Sequence, residues 1–270
     1  MVISPLHEIM LRAILRNAGF DPRRIRAALR GWRRYVSDRA AFQRMNGNGG
    51  MPWGEDLPML MEWNESSGGL GGYFFQDLTV ARWIHDAKPL RHVDAGSRLD
   101  GFVGHLAVFR EVEVIDIRPQ PARVPNVSFH QLDLMLPLPH EWLECTDSLS
   151  CLHTIEHFGL GRYGDPLDPQ GHLKGLAQLK RMVRPGGMLY LSTPVGPERI
   201  EFNAHRVFAP DTVLGWFADG WIIERSAVVD DSCRVREEAG MAAVKEFTGK
   251  HGVGILAARR SDNPIALPGA

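Results

Sequence analysis

From residue 90 onward, short apolar strands alternate with amphipathic helices, and this alternation limits the fold more than any other feature of the chain. "LRHVDAG" reads as a strand running into an Asp-x-Gly turn. "DGFVGHLAVF" has helical spacing, and "VEVIDIRP" is a strand that ends in an acid and then Pro. "VSFHQLDL" and "DSLSCLH" are two more strands, followed by the helix "HLKGLAQLKRMV", which "RPGG" stops. "MLYLSTP", the helix "PDTVLGWFA", and the strands "WIIERSAVV" and "VGILAARR" complete the series. Such an order predicts a doubly wound, mostly parallel α/β sheet of seven strands.

Open sheets of this kind bind ligands outside the carboxyl ends of their strands, so the residues there carry the chemistry. The first strand delivers Asp94, then Gly96 and Ser97. Gly96 lets the backbone turn sharply and approach a ligand closely. Asp116 stands twenty residues later, at the end of the second strand, where a carboxylate can accept from both hydroxyls of a ribose. Asp133 ends the third strand, beside the position of an adenine edge.

With these residues in order, the stretch from about 90 to 195 resembles the core of the class I S-adenosylmethionine-dependent methyltransferases. "VDAGS" resembles their first glycine motif, "TDSLSCLHTIEH" their fourth-strand motif, and "LKRMVRPGGMLYLSTP" their helix–PGG–strand segment. The resemblance implies S-adenosylmethionine as cofactor, held by Asp94, Gly96, Ser97, Gly101, Asp116, Asp133 and Leu152. Tyr73 and Gln76 of "GYFFQD" would form a lid over it. One departure is plain: Arg98 and Asp100 stand where the family has its second and third glycines. "DAGSRLDGF" and "EHFGLGRYGDPLDPQG" also resemble a family of bacterial and nematode proteins of unknown function with this core.

His153, Glu156 and His157 spell H-x-x-E-H, the pattern of inverted zinc proteases. That motif requires a helix, whereas His153 ends the strand "SLSCL", so a peptidase is not expected. Ubiquinone-pathway O-methyltransferases and small-RNA 2′-O-methyltransferases carry E-x-x-E-H at this place and bind a divalent cation with it. By that resemblance His153, Glu156, His157 and, in "EFNAHRVF", His205 are candidate ligands, and the set of His favours a borderline metal over Mg. The alternative is metal-free: Glu156, His157 and His205 are then the candidate catalytic residues, with a His as general base.

The Gly- and Pro-rich insertion "FGLGRYGDPLDPQG" leaves the same rim, and Arg162, Tyr163, Asp165 and Asp168 offer groups suited to a sugar. The competing reading is an ordered loop whose Asp residues only form turns.

The organisation expected is an N-terminal helical, Arg-rich extension with Gly-rich loops at 1–70, a methyltransferase-like α/β domain at 71–262 and a tail at 263–270. Residues 5–18 and 22–44 both have helical spacing, and "GYFFQDLTVARWIHDAK" places Phe75, Leu78, Ala81 and Ile84 on one side of a third helix. Residues 1–44 hold ten Arg and three acids, although the whole chain has a net charge of −1. The Arg face is a solvated helix face or a docking surface for an acidic partner, phosphate or lipid head group. The net charge argues against a long nucleic acid as substrate, no apolar run is long enough to span a membrane, and three unpaired Cys suit a cytoplasmic location. The reaction expected is O-methylation of a small-molecule or glycan acceptor. The alternatives are an inactive methyltransferase-like scaffold, motivated by Arg98 and Asp100, and an RNA 2′-O-methyltransferase-like enzyme.

Overall fold

The computed structural model describes residues 10, 13–15, 17–45, 51 and 53–262. Most of the helix expected at 5–18, and the tail at 263–270, lie outside the described residues. The chain forms two compact units, Met1–Gly69 and Leu70–Ala270.

In the first unit, helix α1 spans Pro22–Arg44. Asp21 caps it by accepting from the Arg23 backbone N–H at 2.8 Å, and Pro22 supplies the fixed φ that suits a first turn. Its close-packed point is Gly31, where an added Cβ would lie 1.7 Å from the Leu60 carbonyl oxygen.

In the second unit, α2 (Gly72–Ala87) precedes β1 (His92–Ala95). A distorted turn at Leu99–Val103 leads into the short α3 (Gly104–Ala107), then β2 (Val112–Asp116) and β3 (Val127–Gln131). β4 (Thr146–Leu152), α4 (Gly171–Met182) and β5 (Val183–Val195) follow. A hairpin of β6 (Arg199–Glu201) and β7 (His205–Val207), then α5 (Pro210–Gly215), lead to β8 (Trp221–Val229). β9 (Val235–Ala239), α6 (Ala242–Lys245) and β10 (Gly252–Arg260) end the described fold.

The strands lie in the order β3-β2-β1-β4-β5-β10-β8-β9. β1 to β5 pair in parallel, while β10 is antiparallel to both β5 and β8. The main sheet therefore has eight strands, one more than the sequence predicts. The addition is β9, "VREEA", an exposed antiparallel edge without an apolar face.

Alternation along the strands sends side chains into two cores. Val93, Leu149 and Leu191 meet Leu176 and Leu179 of α4 and Val213 of α5. Val112, Val114 and Tyr190 meet Val80, Trp83 and Ile84 of α2 and Leu106 of α3 on the other face. The buried side of α2 thus runs through Gln76, Val80, Trp83 and Ile84, and Leu78, expected inside, is 45% exposed. Among the described residues no helix is long and apolar enough to cross a membrane.

Candidate functional site

The sheet reverses its direction of winding between β1 and β4, so the crevice outside their carboxyl ends is the expected ligand site. Gly96 and Thr154 face each other there. Gly96 has φ 80°, and a Cβ on it would stand 2.2 Å from Thr154 Cγ2, so both backbone and space call for glycine.

Asp94 is fully buried and braces this turn from below. It accepts from the Ser97 N–H at 3.0 Å, the Ser97 hydroxyl at 2.9 Å and the Ser150 hydroxyl at 2.5 Å. Burial lifts its pKa to about 6 against the pull of these bonds. Behind it, the buried His92 ring lies between the Ser148 and Ser150 hydroxyls at 2.7 and 3.1 Å, and burial drops its pKa to about 3. Asp94, expected as a direct ligand contact, is instead enclosed and acts on the rim through Ser97. Gly101 lies within the distorted turn after β1, with Arg98 and Asp100 paired to each other in solvent.

Asp116 reaches the rim, but its carboxylate is engaged. The Arg118 backbone N–H and Nε donate to Oδ1 at 2.8 and 2.9 Å, and a terminal nitrogen donates to Oδ2 at 2.5 Å. One lone pair on Oδ2 stays open, so accepting from two hydroxyls requires Arg118 to swing away. Asp133 accepts from the Met135 N–H at 2.8 Å and closes the turn after β3. Leu152 is 4% exposed and forms part of the core at the end of β4.

The lid expectation divides. Tyr73 is 59% exposed and sets its ring edge-on to His153 at 4.7 Å. Gln76 is buried, accepts from the Ser192 hydroxyl at 2.5 Å and donates to Asp77 at 3.0 Å, so it braces β5 from below.

"HTIEH" is not helical as a zinc protease requires. His153 is a left-handed residue (φ 47°), and only Ile155–His157 make a single tight turn. His153 Nδ1 lies 2.9 Å from Glu156 Oε1, and His157 Nε2 lies 3.8 Å from the same oxygen. Glu156 is fully buried. Burial pushes its carboxyl up, but the two imidazoles outweigh that and hold it below its ordinary value. Burial pushes His157 down, against Glu156 and the carbonyl of Ala204. The 2.7 Å bond from His157 Nδ1 to that carbonyl fixes the tautomer, because a carbonyl only accepts, and leaves Nε2 as the basic nitrogen.

The four-ligand metal set does not assemble. His205 turns to Glu201 at 3.2 Å, its ring is 6.4 Å from that of His157, and burial lowers its pKa. Among the described residues no three or more His, Cys, Asp or Glu are placed to hold an ion. His205 reaches the same rim, not the same point.

The insertion after His157 is an ordered loop. Asp165 accepts from the N–H groups of Gly159, Gly161 and Tyr163, and Asp168 accepts from Gln170 N–H and pairs with Lys174. Both carboxylates are therefore turned into the loop rather than toward a substrate, which is the competing reading for these two. Arg162 and Tyr163 remain at the rim: the Arg118 guanidinium lies 4.4 Å over the Tyr163 ring, and His157 meets that ring edge-on at 5.4 Å. Two residues that the sequence reading missed matter here. Arg118 was legible as the second residue after the rim acid. Arg206, 3% exposed, has no acidic partner among the described residues and donates to the carbonyls of Glu156, Phe158, Asp168 and Pro169, pinning the loop to β7.

The family described as Caenorhabditis protein of unknown function, DUF268, matches residues 127–221. No curated protein matches the chain. Among solved structures, the N-methyltransferase NodS from Bradyrhizobium japonicum is 15% identical, with a TM-score of 0.46 over 69% of this chain and 85% of its own. The 1,6-didemethyltoxoflavin-N1-methyltransferase of Burkholderia thailandensis is 13% identical, with a TM-score of 0.47 over 90% of this chain and 91% of its own. A sarcosine dimethylglycine methyltransferase of Galdieria sulphuraria, so described with reserve, is 14% identical, with a TM-score of 0.49 over 70% and 85%. The fold of the second unit, by its own strand order and antiparallel β10, is the Rossmann-like methyltransferase sheet.

Proposed function

We propose that this chain transfers a methyl group from S-adenosylmethionine to a hydroxyl of a small polar acceptor such as a sugar. The observation that carries the reading is one juxtaposition at the switch point. Gly96, whose turn has no room for a Cβ against Thr154, donates its N–H to the Ile115 carbonyl next to the rim acid Asp116, and Thr154 leads into the turn that carries the buried Glu156–His157 pair. The cofactor supplies an electrophilic methyl on a positively charged sulfur. Gly96 and Ser97 allow close backbone approach, and Asp116 orients the ribose once Arg118 yields. His157 takes the acceptor's proton at Nε2, the nitrogen left free by the Ala204 carbonyl. Glu156, ionised and 3.8 Å away, then faces an imidazolium. Arg162 and Tyr163 give the rim planar polar groups that suit a sugar.

A second reading is a binding protein of the same fold. It is favoured by the Arg118 pair, which occupies both oxygens of Asp116, together with Arg98 and Asp100 in the glycine turn. Labelled methyl transfer from S-adenosylmethionine to a panel of sugars and nucleotide sugars separates the two. Transfer abolished by His157→Ala supports the enzyme. Tight cofactor binding without transfer to any acceptor supports the binding protein.

A further inference from the structure

Helix α1 has two distinct faces. Gly31 meets Leu60 within its own unit, so that side is occupied. More than 100° round the helix, at ~100° per residue, runs a second apolar line. Ile25, Leu29, Trp32 and Val36 follow one another at steps of four, three and four, and they are 44%, 63%, 50% and 49% exposed. A soluble helix ordinarily buries such a stripe.

The charge beside the stripe is of one sign. Arg23, Arg26, Arg30 and Arg33 are exposed, and with Leu29 they line a shallow groove. Among the described residues no acid pairs with the side chains of Arg26, Arg30 or Arg33. The acids of this helix and its cap are engaged elsewhere: Asp38 pairs with Arg34 at 3.1 Å, and Asp21 caps the N-terminus. Ile25 to Val36 therefore form ~17 Å of apolar line within a 23-residue helix, including a Trp and flanked by guanidinium groups that no acid pairs with among the described residues.

We propose that α1 lies in the plane of an anionic lipid surface, with Ile25, Leu29, Trp32 and Val36 entering the head-group boundary and the arginines meeting lipid phosphates and carboxylates. A lipid surface fits better than an acidic protein groove. The charges are spread along the full flank of the helix instead of gathering at one point, and Trp and Arg are the side chains suited to the interface between apolar and charged layers. The proposal does not depend on the methyltransferase reading.

The test is flotation of the full chain with vesicles of phosphatidylcholine alone and of phosphatidylcholine with phosphatidylserine. The chain floats with the anionic vesicles, and binding weakens as salt rises. Replacing Arg26, Arg30 and Arg33 together by Gln lowers the partition coefficient roughly a hundredfold, at about fivefold for each arginine. Leu29→Gln with Trp32→Gln lowers it as well, and thermal melts confirm that both variants stay folded. Equal indifference to the two vesicle types, or undiminished binding by the Arg variant, overturns the proposal. Binding of a polyglutamate peptide in the absence of vesicle binding also overturns it, in favour of an acidic protein partner.

Discussion

Gly96 and Asp116 carry opposite kinds of constraint. At Gly96 the backbone is left-handed and a methyl group has no room, so Gly96→Ala loses about 1–3 kcal/mol of stability together with the ligand turn. Asp116→Ala removes a charged acceptor and weakens S-adenosylhomocysteine binding by about 1.5–3 kcal/mol, roughly ten- to a hundredfold by calorimetry. Arg118→Ala has the reverse effect, because it removes both guanidinium donors from Asp116 and leaves only the backbone N–H on Oδ1; unchanged or weaker binding in that variant would show that Arg118 is not a competitor. The buried pair beneath the rim predicts a pH response. Asp94, raised from 3.8 to about 6, contributes stability that is present below pH 3.8 and lost as pH rises through about 6. His92, lowered from 6.5 to about 3, contributes stability that is present above pH 6.5 and lost as pH falls toward about 3. The two slopes oppose each other between about pH 4 and 6. Urea melts should therefore be flat there for the natural chain and should fall steadily with decreasing pH for Asp94→Asn. The spacing from Gly96 to Asp116 was legible because it repeats a strand–helix–strand length. Arg118 stood in view two residues after that acid, but its pairing with Asp116 did not, because it depends on one side chain folding back over two residues.

The loop at 158–170 shows why composition alone misled about Asp165 and Asp168. Its Gly and Pro content correctly excluded regular structure, and its acids looked available. In the fold, Gly159 takes φ 77°, and an added Cβ would lie 2.0 Å from the Asp168 carbonyl oxygen. So tight a turn leaves its amides without helix or strand partners, and the Asp165 carboxylate satisfies three of them. Arg206 clamps the result from β7. Arg206→Lys keeps the charge but loses the planar fork, so it should cost about 2–4 kcal/mol and speed hydrogen exchange at Gly159 and Gly161, which loop amide protection reads directly. Unchanged exchange would show that the loop holds itself. The β6–β7 hairpin and β9 escaped the sequence reading for a related reason. "RIE" and "VREEA" mostly face solvent, and "HRV" is three residues long and buries an Arg beside its Val, so no apolar alternation marks them. The strands with buried faces on both sides, such as "DSLSCL" and "MLYLSTP", announce themselves as apolar runs.

At the scale of the molecule, the second unit holds the whole sheet and both cores, so a chain starting at residue 70 should fold by itself. A cooperative melt of that truncated chain would agree, and a chain without one would place the first unit within the folding core. If His157 is the base, the rate falls on the acid side with an apparent pKa below 6.5, since burial pushes this imidazole down and its neutral form persists to lower pH. His157→Ala removes that limb along with most of the rate. The central claim is that the rim between β1 and β4 is a nucleoside site. Isothermal calorimetry of the natural chain and Asp116→Ala with S-adenosylhomocysteine, paired with a structure of the complex, tests it most directly. The account predicts one site per chain, adenosine density beside Gly96 with its ribose at Asp116, and the ten- to hundredfold loss in the variant. Equal affinity in the two proteins, or density away from Gly96, would contradict it.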